Sequence, residues 1–470
     1  MKKSVVAIVL FVSVQISQAQ VTFEKNGQQI PRIAGRNVEI ADFNEDGALD
    51  AVFGASNNLN FYFGDVQGQF TNSNTTLSVS ALEIGDVNHD GHFDVIGGDK
   101  IWLNDGKGNF TSKNCITDNI ADLELADLNG DGHPDIFAIV NYSASRAYFN
   151  DGDGNFTDSG QKLGDGTIGT GQIAELALGD INNDGAIDAI TTGWRWDGST
   201  QCPNQVWMND GTGNFTLGNQ NLDEGSSHVH GLILHDINGD GWLDLILSVQ
   251  EVARSGRIYL NDQTGNFIKH ANIGGGYGED VELGDFNGDG IPDLFIAQSQ
   301  QGSRVWLNDG QGNLTDGVVR LGSNNYWDSA VGDFNSDGKP DVFAVGFIWG
   351  TGNAAPVDIW LNTTEFPSGV KTGFNSLPED FQLLQNFPNP FNPTTVIGYQ
   401  LPEYGNVKLK VHDTLGRDIK TLVDSFQSPG EYSFSWNGHD DSGNQVSSGM
   451  YFYSFVIDDM QFHKKMMLVR

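Results

Sequence analysis

Short apolar runs recur along most of the chain, and nearly every one stops at a turn rich in Asp, Asn and Gly. Runs such as "VEIA", "LEIG", "LELA" and "LALG" lead into an acidic stretch, and "DAVFGA", "DIFAIV" or "DLILSV" leads out of it. These runs are too short for helices and are bounded by turn residues, so the pattern predicts strands throughout. Further on, apolar and aromatic residues stand at strand spacing before an Asn-Asp-Gly turn, or Asn-Asp-Gln at 261–263. Examples are "IWLNDGKGNF" (101–110), "AYFNDGDGNF" (147–156), "VWMNDGTGNF" (206–215), "IYLNDQTGNF" (258–267) and "VWLNDGQGNL" (305–314), with a degenerate copy, "FYFGDVQGQF", at 61–70. Asn-Asp-Gly followed by Gly-Asn is hairpin chemistry.

The acidic stretch is itself a repeat. Asp-x-Asn-x-Asp-Gly-x-x-Asp begins at Asp42, Asp86, Asp127, Asp180, Asp236, Asp285 and Asp333, at intervals of 44, 41, 53, 56, 49 and 48 residues. One unit therefore reads strand, acidic loop, strand, variable loop, strand, Asn-Asp-Gly turn, strand. Four strands per unit, seven times over, predict a seven-bladed β-propeller. The seventh unit breaks off after its third strand, "VDIWLN" (357–362), while the N-terminal "VTFEKNGQ" (21–28) resembles the fourth-strand segment "GNFTDSGQ" (154–161). The N-terminal segment is thus expected to complete blade seven and leave no open edge.

Positions 1, 3, 5 and 9 of the loop carry side-chain oxygens in every copy. They are Asp42, Asn44, Asp46 and Asp50; Asp86, Asn88, Asp90 and Asp94; Asp127, Asn129, Asp131 and Asp135; and Asp180, Asn182, Asp184 and Asp188. The series continues with Asp236, Asn238, Asp240 and Asp244; Asp285, Asn287, Asp289 and Asp293; and Asp333, Asn335, Asp337 and Asp341. A hard cation such as Ca²⁺ takes several oxygens at about 2.3–2.6 Å from carboxylates, amides and carbonyls. Gly at position 6 allows the sharp turn, and position 7 varies freely, as suits a residue contributing only its carbonyl. The expectation is up to seven Ca²⁺, one per blade, with Asp at position 9 closing the shell. The bland alternative is a set of Asx turns with solvated acids.

Charge narrows the partners. The 61 Asp and Glu exceed the 25 Lys and Arg, a formal net charge of −36, so nucleic acid and anionic membranes are excluded as partners. The 29 Phe argue against disorder despite that acidity. At the start, Met1-Lys2-Lys3, the apolar run Val5 to Val14 and Ser17-Gln18-Ala19 read as a signal peptide over 1–19. That run is too short for a membrane anchor, and no other segment is expected to span a bilayer. The protein is expected to be secreted or anchored at the outer surface. Cys115 and Cys202 are the only cysteines, and spacing alone does not decide whether they pair.

Beyond the propeller (20–362) and a linker (363–378), residues 379–470 change character. The strands "NVKLKVHD", "EYSFSWNG", "GMYFYSFVI" and "FHKKMMLVR", separated by glycine turns, predict a small immunoglobulin-like β-sandwich. The whole chain is all-β.

The acidic loops resemble FG-GAP or VCBS repeats, the blade type of the integrin α-subunit propeller. That resemblance covers about 21–362 and implies that the calcium loop joins the first two strands of each blade. It also implies binding of proteins or glycans. The Phe-Gly and Gly-Ala-Pro marks of the integrin version are largely missing, so integrin-type partners do not follow. "NFPNPFNP", "VHDTLGR", "SSGMYFY" and the basic "KKMMLVR" resemble the sorting domain of type IX secretion. This implies export through that machinery.

Strand order puts the second-to-third loops and the connections between blades on the face opposite the acidic loops, where loop variation carries specificity. Trp194, Trp196 and Asp197, then Tyr326, Trp327 and Asp328, then Trp349, are candidate ligand contacts there. Asp122, Glu175, Asp280 and Asp328 stand five residues before acidic loops, at the predicted mouth of the central channel. Aromatic platforms beside carboxylates suit sugar rings. His228, His230 and His235 are candidate bases or transition-metal ligands. The expected function is binding of a glycan or an extracellular protein without catalysis. The alternatives are a polysaccharide lyase or hydrolase using the channel acids, and a purely structural surface protein.

Overall fold

The computed structural model describes the chain from Val21 to Val469. It leaves out residues 32–36, 56–57, 79–81, 98–99, 117, 165–172, 195–203, 221, 223–227, 252, 300, 323–325, 349–352, 355–356, 367–380, 385–388, 390, 392–394, 402–404, 413–416, 428–429, 437, 440–444 and 458–459. All regular structure among the described residues is strand, and no helix there is long and apolar enough to cross a membrane.

Seven antiparallel sheets built on four strands follow the seven repeats. Their innermost strands are Asn37–Ala41, Glu83–Gly85, Ile120–Ala126, Ile173–Gly179, Val229–His235, Gly278–Gly284 and Tyr326–Gly332. Each packs beside the innermost strand of a neighbouring blade, and Asn37–Ala41 meets Tyr326–Gly332, which closes the ring. The second strand of each blade is buried on both faces; Asp135–Val140 and Asp293–Gln298 are buried at every residue. That is why these runs read as continuous apolar stretches rather than as alternation.

Blade seven is completed by the N-terminal segment. Phe23–Lys25 pairs antiparallel with Asp358–Asn362, Phe23 opposite Asn362 and Lys25 opposite Trp360. The likeness between "VTFEKNGQ" and "GNFTDSGQ" extends to contacts. Gln28 accepts the Phe70 N–H at 2.8 Å, as Gln161 accepts the Phe215 N–H at 2.9 Å in the next blade along. Between blades seven and one the core is aromatic. Phe343 lies 5.2 Å from Phe53 and 5.3 Å from Phe70, ring to ring, with Phe334 alongside. Such pairs add about 0.5–1.5 kcal/mol each beyond the area they bury.

The C-terminal domain is two sheets around one core. Thr395–Leu401 lies between Gln382–Leu383 and Gly430–Trp436, and the other sheet runs Asp418–Gln427, Gly405–His412, Gly449–Ile457, Met460–Leu468. Ile397, Tyr399, Leu409, Trp436, Tyr453 and Phe455 fill the space between. Asp418–Gln427 is a strand that the sequence reading left between two turns. It pairs with Gly405–His412 through two register shifts, which blur its alternation.

Candidate functional site: acidic loops and an acid-lined channel

The acidic loops sit where the first strand of each blade turns into the second. In the first, Asp42 Oδ1 and Asn44 Oδ1 accept the same N–H, that of Asp46, at 3.1 and 3.0 Å. Asp42 Oδ2 takes the Gly47 N–H at 2.8 Å and Asp46 Oδ1 the Ala48 N–H at 3.0 Å. Oxygens from positions 1 and 3 therefore converge within one tight turn. Equivalent bonds recur in the other copies. Gly47 stands at φ +86°, which a side chain would strain.

Position 9 plays a different part from positions 1, 3 and 5. Asp50, Asp94, Asp135, Asp188, Asp244, Asp293 and Asp341 are 0% exposed. In each, one oxygen accepts the N–H of loop position 2, and the other accepts an N–H at the end of the third strand. For Asp244 these donors are Ile237 at 3.2 Å and Asn261 at 2.7 Å. The same pair holds Asp50 to Phe43 and Gly64. Both oxygens of this carboxylate are committed to the fold, so it acts first as an anchor between two turns. Burial pushes Asp50 up to about 7, with the backbone N–H groups opposing and Asp42 and Asp46 adding repulsion. Among the described residues no group of three or more His, Cys, Asp or Glu is gathered as a metal cage. The loop carboxylates instead face the N–H groups of their own turns.

The Asn that ends the third strand does more than start a turn. Asn261 Nδ2 donates to the Ile181 carbonyl of the preceding blade at 2.8 Å and to Leu243 O at 3.0 Å. Asn104, Asn150, Asn209, Asn308 and Asn362 reach back to Phe43, Val87, Leu128, Ile237 and Phe286 in the same way. Six blade junctions thus carry one amide clamp each. Blade one has Gly64 at this place, and a Cβ there would sit 2.1 Å from Leu49 O.

At the centre of the ring is a cavity of about 750 Å³ walled by the innermost strands. Eight of its nine carboxylates form two tiers, and the ninth, Glu279, pairs with His230. Five residues before the acidic loops stand Asp122, Glu175, Asp280 and Asp328; three residues before stand Glu39, Glu83, Glu124 and Glu282. No Lys or Arg lines it among the described residues. Burial raises all eight acids, and for Glu39, Glu83, Glu124, Glu175, Glu282 and Asp328 mutual repulsion adds to it. Glu39 and Glu124 are pushed to about 8, Asp122 to about 7 and Asp280 to about 6. The lower values have a cause. Asp122 accepts the Leu123 N–H at 3.0 Å, and Asp280 accepts the Ser329 N–H at 3.1 Å and its hydroxyl at 2.5 Å.

The sequence reading found the first tier and missed the second. Alternate residues of a strand share a side, so four glutamates two positions farther along were available to it. Of the other candidates, Trp327 and Asp328 line the cavity; Tyr142, on the second-to-third loop of blade three, lines it as well and is exposed. Tyr326 is fully buried and its hydroxyl donates to Asp358, which makes it a core residue. Asp328 also staples the ring, accepting the Val38 N–H at 2.7 Å. Trp194 ends a strand, but its side chain, like Trp196, Asp197, Trp349 and Cys202, lies outside the described residues. The three histidines do not converge. His230 pairs with Glu279 at 2.9 Å on the cavity wall, while His235 lies at the far end of the same strand.

The FG-GAP-like repeat family matches residues 42–97, 127–191, 236–296 and 285–344, and the FlgD Ig-like domain family matches 392–459. The propeller is built of FG-GAP-like repeats. No curated protein sequence matches the chain. Among solved structures, the lectin BP39L from Burkholderia pseudomallei is 12% identical with a TM-score of 0.51, covering 70% of this chain and 96% of its own. A fungal alcohol oxidase in complex with copper is 12% identical with a TM-score of 0.50, covering 96% of this chain and 100% of its own. PorZ, a surface component of the type IX secretion system of Porphyromonas gingivalis, is 16% identical with a TM-score of 0.43. It covers 91% of this chain, which spans 59% of PorZ. A lectin and an oxidase on one architecture show that the fold leaves the activity open.

Proposed function

We propose that this chain is a calcium-stabilised propeller, displayed outside the cell, that binds a glycan or an extracellular protein at its channel. The observation that carries this reading is one cavity lined by nine carboxylates together with Trp327 and Tyr142. Carboxylates accept hydrogen bonds from sugar hydroxyls or protein N–H groups, and aromatic rings stack on apolar sugar faces. With nine acids, one of them paired with His230, and no Lys or Arg in the described wall, a polyanionic glycan is repelled; a neutral or amine-bearing ligand is favoured. A glycan array tests this directly. Binding of neutral or amino sugars that weakens in Tyr142→Ala supports it, and selective binding of uronate polymers contradicts it.

Calcium fits the loops. The oxygens at positions 1 and 3 converge on one N–H, position 5 stands in the same turn, and in the first loop each keeps a second lone pair beyond its N–H bond. Asp42, Asn44 and Asp46, with their six sets of counterparts, would hold the ion, the position-9 carboxylate bracing the turn behind them. The bound cation would supply charge neutralisation. EDTA is expected to lower the melting temperature by several degrees, because metal bound only by the folded state stabilises it by mass action. An unchanged curve, with no calcium by elemental analysis, contradicts the assignment.

A second reading has its own support. Asp122 and Asp280 sit near the range of general acids, as polysaccharide cleavage requires. Release of reducing ends from a polysaccharide panel, abolished by Asp122→Asn, would establish it. Export through type IX machinery rests on the C-terminal motifs. Retention of a chain truncated after residue 378 inside the cell envelope is the expected result.

A further inference from the structure

On the acidic-loop face, loop position 4 of one blade reaches toward position 7 of the next. Glu45 meets His92, and Asn183 donates to Gly241 O just before Trp242. At the junction of blades two and three both residues are imidazoles. His89 Nε2 and His133 Nδ1 stand 2.7 Å apart, with ring centroids 4.9 Å apart and planes inclined at 50°. In the remaining copies position 4 is Gly130, Gly239, Gly288 or Ser336, so this pairing belongs to one junction alone.

From this geometry we infer that His89 and His133, at the junction of two acidic loops, form an inter-blade binding site for a divalent transition metal, distinct from the oxygens proposed for calcium. Two nitrogens each about 2.0 Å from one ion and at right angles to it lie about 2.8 Å apart, the spacing of cis ligands in square-planar Cu²⁺ or Ni²⁺ sites. The observed separation matches within a tenth of an ångström or so; for an ion to enter, the proton between the rings has to leave and each ring has to turn so that its lone pair, now aimed at the other nitrogen, aims at the ion. Both rings reach solvent, which supplies the remaining ligands, since no third His, Cys, Asp or Glu joins them among the described residues. His133 is held in place. Its ring covers Gly152, where a Cβ would come within 2.6 Å of it. His89 sits at φ +56°, a backbone state that fixes the direction of its side chain. The ion would bridge two blades. Nitrogen ligands in this pattern favour Cu²⁺ over Ni²⁺, and Ni²⁺ over Co²⁺.

The test is titration of the full chain, saturated with Ca²⁺, with CuCl₂, followed by calorimetry and electron paramagnetic resonance. His89→Asn is chosen because Asn tolerates positive φ, and His133→Gln because it keeps a polar side chain there. The wild type is expected to bind one Cu²⁺ more tightly than either variant by at least tenfold, with hyperfine coupling to two nitrogens. Equal affinity in wild type and both variants overturns the site, as does loss in one variant alone. Should a variant fail to fold, the hyperfine pattern of the wild type decides, and coupling to fewer than two nitrogens overturns it. A plain hydrogen bond between neutral rings gives that last outcome.

Discussion

The propeller carries two populations of buried carboxylate that burial raises alike and that have opposite surroundings. At loop position 9 each Asp has an N–H on both oxygens and is wholly enclosed. In the channel, Glu39, Glu83, Glu124 and Glu282 face one another and four further acids across a cavity. The first arrangement satisfies the charge within the fold. The second leaves it directed at whatever enters. Identical residue chemistry thus builds a scaffold on one side of the ring and an acid-lined surface along its axis.

Breaking the scaffold should cost most. Asp244→Ala strands the N–H groups of Ile237 and Asn261 in a sealed interior, and a loss of roughly 3 kcal/mol or more is expected in chemical denaturation. A loss below about 1 kcal/mol would show that the turns hold without the anchor. Asn261→Ala removes the clamp on Ile181 and is expected to cost about 2 kcal/mol. In blade one, where Gly64 replaces the Asn, no such clamp exists to lose.

The channel should respond in the opposite direction. A carboxyl raised in the fold keeps its proton after the unfolded chain has lost it. Its contribution is therefore fully present below about pH 4 and is lost as pH rises through its folded value. For Glu39 and Glu124 that value is about 8, so stability should fall between about pH 5 and pH 8. Glu124→Gln should flatten this slope and add about 1 kcal/mol at pH 8. A variant less stable than wild type at pH 8 would mean that the glutamate is paired there. The smallest effect is expected at the exposed pair Arg320–Asp316, 2.6 Å apart, where Arg320→Ala should change stability by less than about 1 kcal/mol.

Repetition made the scaffold legible. Seven copies of one loop, and turns at a steady interval, announce blades without reference to tertiary contacts, and the N-terminal "VTFEKNGQ" even exposes the closing strand. The clamp was harder to see. Asn104 and its counterparts read as turn residues because turn chemistry alone explains Asn before Asp-Gly, and their contact with the preceding blade lies 61 or more residues away. Asp50 read as the metal ligand that closes the shell because spacing gives an oxygen's position in the chain, not its donors. Glu83 and Glu282 were hidden for another reason. A strand lining a narrow channel shows neither the apolar run of a core strand nor a conspicuous cluster, and only closing the ring brings the glutamates together.

The central claim is that the channel, not the loop face, receives the ligand. It is tested most directly by measuring binding of an array-identified glycan or protein to Glu175→Gln and Asp337→Asn in parallel, each checked for an unchanged fold. At least tenfold weaker binding is expected for Glu175→Gln, and wild-type affinity for Asp337→Asn. Wild-type affinity for Glu175→Gln with lost binding for Asp337→Asn would place recognition on the loop face and contradict it.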